Sequence, residues 1–369
     1  MNIKILVAYH KVDELIKDDV YTPIFLGKAV KNLATKDGAI KGKDGKILNK
    51  LLGDDTGDNI SYLNRNFNEM TALYWVWKNY DKLGNPEYIG LVHYRRQFIF
   101  KDDEISAPEW LKNSNVYKFD YFSHGVLDLI DSNNLKKVLQ KYDGVTSYLY
   151  DLHNLNDLYV TCRDRFIEMV HLPADIYDIA MKYINDNLPD YREDLRKFQS
   201  DAKNYLCNMF VFKKEDFFEY AEFVFSVLKE IESHKELYEN GDNTQMRAPG
   251  FICEWLTTIY IFHAQRKHGR NFKECRLTFI EDTCAKERLS ERKRSETVKA
   301  LQYPLLLAIK VISLGKIKLN KRIDSCKNSL RSAATTSVKN RHSLIAIFVF
   351  KVFNKIAAFG RKVDKVCRL

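Results

Sequence analysis

The chain contains no Cys-x-x-Cys pair, no Gly-x-x-x-x-Gly-Lys-Ser/Thr loop and no apolar run of bilayer-spanning length. Each absence removes a class of protein. The seven cysteines, at 162, 207, 253, 275, 284, 326 and 367, show neither metal-ligand spacing nor the pairing of a small disulfide scaffold. A reduced cytoplasmic compartment is therefore expected, with no catalytic role for these thiols. Without a phosphate-cradling glycine loop, nucleotide hydrolysis and phosphoryl transfer are disfavoured. The apolar stretches Leu305-Leu306-Leu307-Ala308-Ile309 and 344–350 fall far short of the roughly 18 residues that a membrane span needs. Residues 1–10 are interrupted by Lys4 and lack a small-residue cleavage site, so no signal peptide is expected. No internal repeat is visible.

What is present suits a sizeable globular enzyme. The 369 residues are 45% hydrophobic and 13% aromatic, enough for one large core or two smaller ones. The net charge of +10 is unevenly spread: residues 301–369 carry +13, and residues 1–300 carry −3. The basic character thus belongs to the last stretch. There Lys351, Lys355, Lys362 and Lys365 recur at helical spacing beside Val352, Phe353, Ile356, Phe359, Val363 and Val366. Such a pattern fits an amphipathic helix lying on an anionic membrane surface; the blander alternative is a packed helix with solvated lysines. No nucleic-acid-binding motif accompanies the charge, so nucleic acid is not an expected partner.

The order of elements reads as alternating strand and helix. Residues 3–8 and 88–93 are apolar runs of buried-strand character, and 208–212 is a third. Residues 34–53, with Gly38, Gly42, Gly45 and Gly53, read as a hairpin-like or mobile excursion. Asn66 with Glu69 looks like a helix start, after which Met70, Leu73, Tyr74 and Trp77 share a face. Residues 135–142, 176–187, 217–233 and 252–266 read as further helices. The alternation predicts an α/β fold with a mostly parallel sheet. In such sheets ligands collect at the carboxyl ends of the strands. The strand 88–93 ends in His93-Tyr94-Arg95-Arg96, and two guanidinium forks at that place suit phosphate or carboxylate oxygens. Pairing with structural carboxylates is the alternative.

A second segment, Gly53-Asp54-Asp55-Thr56-Gly57-Asp58-Asn59, precedes the run from Asn68 to Trp77. With Pro23-Ile24 to Gly27, His93-Tyr94-Arg95-Arg96, Asn208-Met209-Phe210-Val211, Arg247 and Gly250-Phe251-Ile252-Cys253-Glu254, it resembles a family of bacterial glycosyltransferases from capsular and exopolysaccharide clusters. That family was long known only as a domain of unknown function. The resemblance covers roughly residues 1–285, a glycosyltransferase catalytic domain, and leaves 286–369 as a basic amphipathic helical region with expected membrane association. It implies the type A nucleotide-sugar-binding fold, with Tyr9 and His10 beside the nucleobase and Tyr9 as a stacking candidate. It implies that His93-Tyr94-Arg95 stands where the fold usually carries a metal-binding Asp-x-Asp. It also places Glu254 where inverting enzymes hold their general base, with Asp55 as the alternative. Asp54, Asn59, His93, Tyr94, Arg95, Arg96, Asn208 and Arg247 complete the expected donor-binding set.

Two versions of the chemistry follow. In one, Arg95 and Arg96 neutralise the departing diphosphate and no metal is required. In the other, Asp54, Asp55 and Asp58 gather Mg²⁺ or Mn²⁺ through oxygen ligands. The loop's spacing does not match a complete EF-hand, and Asx-turns are its ordinary alternative. The resemblance implies hexosyl transfer, weakly of the galactose or galactofuranose series, from a UDP-sugar to a lipid-linked or polysaccharide acceptor. Such a protein would be cytoplasmic, peripheral on the inner face of the membrane, and engaged in capsule, exopolysaccharide or O-antigen synthesis. Residues 142–203 depart from the family's acceptor-side pattern, offering Tyr148, Tyr150, Asp151 and His153 instead. The competing class is a non-catalytic membrane-associated protein whose arginines grip an anionic lipid or polysaccharide.

Overall fold

The computed structural model describes residues 1–11, 14–30, 42–101, 116–119, 122–152 and 161–281. The region 286–369 and His153 lie outside the described residues. Strands β1 (Ile3–Tyr9), β2 (Tyr21–Phe25), β3 (Leu52–Gly53), β4 (Tyr88–His93), β6 (Gly144–Ser147), β9 (Phe210–Lys213) and β10 (Phe272–Cys275) form one seven-stranded sheet. The order is β10-β6-β9-β4-β1-β2-β3. β9 runs antiparallel to both its neighbours, β4 and β6, and the remaining pairs are parallel. The fold is therefore the expected mixed α/β class with a mostly parallel sheet. Two smaller ladders flank it: β5 (Val116–Phe119) with β11 (Leu277–Ile280), and β7 (Leu149–Asp151) with β8 (Lys203–Tyr205).

The strands are apolar along their length because both sheet faces are covered. Along β1, Leu6 and Ala8 join one buried cluster with the helices Met70–Lys78, Lys214–Glu232 and Ala248–His268. Ile5, Val7 and Tyr9 point the other way, into a cluster shared with the helices His124–Leu129 and Ser132–Leu139. Gly90 lets β9 approach β4: a Cβ there would lie 2.7 Å from the Phe210 carbonyl oxygen.

Several expected elements differ in extent for local reasons. The helix expected at Asn66 begins at Met70, because Asn68 takes a left-handed φ of 50° and breaks the chain into Asn64–Phe67 and Met70–Lys78. Asn66 and Glu69 form no cap: Asn66 Nδ2 donates to the Met246 carbonyl, and Glu69 reaches Asn208. Trp75 rather than Trp77 is the buried tryptophan, its indole N–H donating to the Thr56 carbonyl at 2.8 Å. Trp77 instead stacks on Phe225 and carries the Lys78 ammonium over its own ring. Part of the 34–53 excursion is the helix Gly42–Leu48.

Candidate active site

β4, β1, β2 and β3 are parallel neighbours, so His93, Tyr9, Phe25 and Gly53 all end on one edge of the sheet. The chain reverses immediately after β4. His93 and Arg96 exchange backbone hydrogen bonds of 3.1 and 2.9 Å, and Ile280 and Thr278 of β11 hold Arg95 and Gln97 through their amides. The four residues His93 to Arg96 are thus a fixed turn at the sheet edge, not a swinging loop.

His93 sits at the floor of this edge. Its Nε2 lies 2.7 Å from the Cys207 carbonyl oxygen, which can only accept, so Nε2 carries the proton. Burial lowers its pKa, and the Arg96 and Arg247 charges push the same way against Glu69. A neutral ring with Nδ1 unprotonated follows. Cys207 and Asn208, which deliver the chain into β9, have φ of 77° and 47°. Two consecutive non-glycine residues in the left-handed region are strained, and such strain collects at functional sites. The turn is held by Asn208: its Nδ2 donates to Glu69 Oε1 at 2.7 Å and to the Gly250 carbonyl at 3.3 Å, and its Oδ1 accepts from Thr257.

Glu254, in the second turn of the helix Ala248–His268, faces the same place. Burial raises its carboxyl pKa, with Glu69 adding to the rise; the Arg165 charge, the Cys207 backbone amide and the Arg96 charge oppose it. Glu254 and His93 each keep some accessible surface. No ion pair with Arg247 is present: that side chain donates Nε to Asn68 Oδ1 at 2.8 Å and lies over Phe251. Gly250 permits the approach, since a Cβ there would fall 1.9 Å from Asn68 Nδ2.

The structure therefore brings together His93, Arg96, Asn208, Arg247 and Glu254, and adds Glu69 and Arg165. The two adjacent arginines diverge. Arg96 acts electrostatically on His93, Cys207 and Glu254 and lies over Phe279, whereas Arg95 lies over Tyr94 with its Nε buried and unpartnered. Around Tyr94 stand His10, edge-on at 5.0 Å, and Lys11.

Two expectations are corrected. Tyr9 is not a stacking platform: it is fully buried, its hydroxyl donating to the Glu14 carbonyl at 2.8 Å and accepting from the Ile16 amide at 3.0 Å. Asp54 is neither a donor contact nor a metal ligand, because four protein donors saturate it. Its Oδ2 accepts from the Gly27 amide and Thr71 hydroxyl, and its Oδ1 from the Lys28 amide and Ser61 hydroxyl. Asn59 donates one N–H to the Gly57 carbonyl and accepts from the Ser61 amide. Of the remaining loop acids, Asp58 accepts from the Tyr74 hydroxyl, and Asp55 keeps a buried, unpartnered Oδ1 close to the Lys28 side chain at Gly53. With Asp54 saturated, this loop fits a divalent cation poorly as a three-carboxylate set. Nor are Asp55 and Asp58 among the groups acting most strongly on His93 or Glu254.

The residues that sequence reasoning missed are Glu69 and Arg165. Glu69 presents itself in sequence as a helix cap, and its partner Asn208 lies 139 positions away.

Residues 4–266 match the family described as Domain of unknown function (DUF4422), and the chain belongs to it. Among solved structures, the chain is similar to the apo structure of the bifunctional glycosyltransferase WbbM, at 26% identity and a TM-score of 0.64. The match covers 76% of this chain and 46% of that one, so this chain spans about half the length of the structure it matches. No curated protein matches. Among the described residues, no helix is long and apolar enough to cross a membrane.

Proposed function

We propose that this chain is a glycosyltransferase that moves a hexosyl group from a nucleotide-activated sugar to a hydroxyl of a saccharide acceptor. The observation that carries this reading is the meeting of Glu254, His93 and Arg96 around the strained Cys207–Asn208 turn at the carboxyl end of β4. A base of this kind takes the proton from the attacking acceptor hydroxyl as the sugar's anomeric bond to phosphate breaks. The charge that develops on the leaving diphosphate is then met by a fixed guanidinium rather than by reorganising water. The similarity to a bifunctional glycosyltransferase supports the class of reaction. UDP as the nucleotide, galactose or galactofuranose as the sugar, and a lipid-linked acceptor of capsule, exopolysaccharide or O-antigen synthesis are the finer parts of the proposal.

Calorimetric titration with UDP and GDP, first in EDTA and then with Mn²⁺, tests it. UDP is expected to bind in EDTA, since the cationic side chains supply the counter-charge; absence of binding by either nucleotide in both conditions would sink the reading.

The basic region carries the membrane part of the proposal, a cytoplasmic protein held on the inner membrane face. A chain lacking residues 301–369, which hold a net +13, is expected to lose binding to vesicles containing anionic lipid at 0.15 M salt while binding UDP as before. Undiminished vesicle binding would remove the membrane role.

A further inference from the structure

Arg165 is a charged side chain near Glu254 with two buried nitrogens that no acceptor among the described residues satisfies. It lies just beyond the capped turn Cys162–Asp164, where Thr161 and Asp164 satisfy one another's backbone and side chain. Its guanidinium packs 5.6 Å from the centre of the Trp255 ring, and Trp255 is fixed by donating its indole N–H to the Cys162 carbonyl at 3.1 Å and by an edge-on Phe166. Only 9% of Arg165 is exposed, and both Nε and Nη1 are buried without an acceptor. No ion pair reaches it among the described residues. Glu254 feels its charge more than any other, yet does not bond to it.

A buried guanidinium with two unused N–H groups is costly, and native structures rarely tolerate one without a partner. Arg165 lies close enough to Glu254 and Cys207 for its charge to act on both. The rigid backing of Trp255 keeps the fork from folding away to another acceptor. What is missing is an acceptor, and the oxygens of a phosphate oxyanion are the kind that a guanidinium binds through charge-assisted hydrogen bonds.

We infer that Arg165, backed by Trp255 and beside Glu254, forms a binding site for a phosphate oxyanion of a substrate. The inference deepens the glycosyl-transfer reading and rests on it for the identity of the ligand, though not for the existence of the site. Two substrates could bring that phosphate: the diphosphate of the nucleotide-sugar, or a phosphate linking the acceptor saccharide to its carrier.

The test is calorimetry of the full chain and its Arg165→Met and Arg165→Lys variants with inorganic pyrophosphate, UDP and glucose 1-phosphate. Thermal unfolding of each variant accompanies it. Arg165→Met is expected to weaken pyrophosphate binding by roughly tenfold or more while melting no lower than the parent, because an unpaired buried charge has been replaced by an apolar chain of similar length. Arg165→Lys is expected to fall between, keeping the charge and losing the fork. Loss of UDP affinity with glucose 1-phosphate unchanged assigns the site to the donor; the reverse assigns it to the acceptor. Equal affinities of parent and both variants for all three anions overturn the inference, as does a parent protein that binds none of them. If Arg165→Met does not fold, Arg165→Lys decides alone, by a weakening of more than about threefold or by none. A parent that loses pyrophosphate through Arg165→Met yet transfers no sugar retains the anion site and rejects the transferase reading. Sugar transfer by Arg165→Met at unaltered KM for donor and acceptor rejects the site and keeps the transferase.

Discussion

Glu254→Gln is expected to bind UDP within a few-fold of the parent and to transfer sugar about 10³-fold more slowly, the loss typical of removing a positioned general base. The substitution is nearly isosteric, so the packing of the helix Ala248–His268 is preserved. The amide can still accept from the Cys207 backbone, but it cannot take a proton. The pH profile supplies a second readout. The base must be ionised to work, and burial raises its pKa above the ordinary glutamate value of 4.5. The acid limb of kcat in the parent should therefore lie above that value, with activity lost as pH falls through it. In Glu254→Gln the residual activity should show no such limb. Burial lowers the pKa of His93, and persistence of the limb in Glu254→Gln would assign it to His93. Glu69 is the competing carboxylate, held 2.7 Å from Asn208. Turnover that survives in Glu254→Gln and disappears in Glu69→Gln would transfer the role of base to Glu69.

Much of this arrangement was legible in the sequence, and what was hidden shares a physical cause. β1 and β4 could be read because strands buried on both faces must be continuously apolar. The rule that ligands gather at strand carboxyl ends then made His93 and Arg96 conspicuous. Glu254 was reachable only through family resemblance: nothing in a local pattern separates a cleft carboxylate from a helix-terminal one. Asp54 and Tyr9 misled for the opposite reason. An Asp-rich loop and a tyrosine at a strand end have the composition of a binding site, but whether their polar atoms are free depends on partners the local sequence does not reveal. Thr71 lies 17 positions from Asp54 and the Gly27 amide 27 positions away. Arg165 escaped notice because a lone arginine is ordinarily solvated. Its distinction is an unmet hydrogen-bonding need, and that is a property of burial rather than of sequence.

Asp54→Ala should be the most destabilising single change on this face of the protein, and it should act through folding rather than chemistry. The buried carboxylate joins three segments: the turn after β2 through the Gly27 and Lys28 amides at 2.8 and 3.0 Å, Ser61 at 2.5 Å, and Thr71 at 2.6 Å. Removing it deprives two backbone N–H groups of their acceptor, the Gly27 amide in a buried position and the Lys28 amide in a partly buried one. Hydrogen bonds to a charged acceptor contribute about 1.5–3 kcal/mol each, so a loss of about 4 kcal/mol or more is expected. Against the 5–15 kcal/mol by which whole domains are typically stable, that is a large fraction. Asp54→Asn separates the contributions. Its one remaining oxygen can keep either the Gly27 and Thr71 pair or the Lys28 and Ser61 pair. Its amide N–H₂ must then face the other pair, where the hydroxyl can turn to accept but the backbone N–H cannot. The expected cost is about half that of alanine, roughly 2 kcal/mol. Denaturant unfolding measures both, and UDP titration of the folded Asn variant should give an affinity close to that of the parent, with or without Mn²⁺. If Asp54 served a cation instead, the outcome would invert: Asp54→Asn would unfold like the parent and lose a Mn²⁺-dependent part of its nucleotide affinity. The saturation of both carboxylate oxygens by four protein donors argues for the first result, and makes this aspartate the residue that holds the cleft edge in shape.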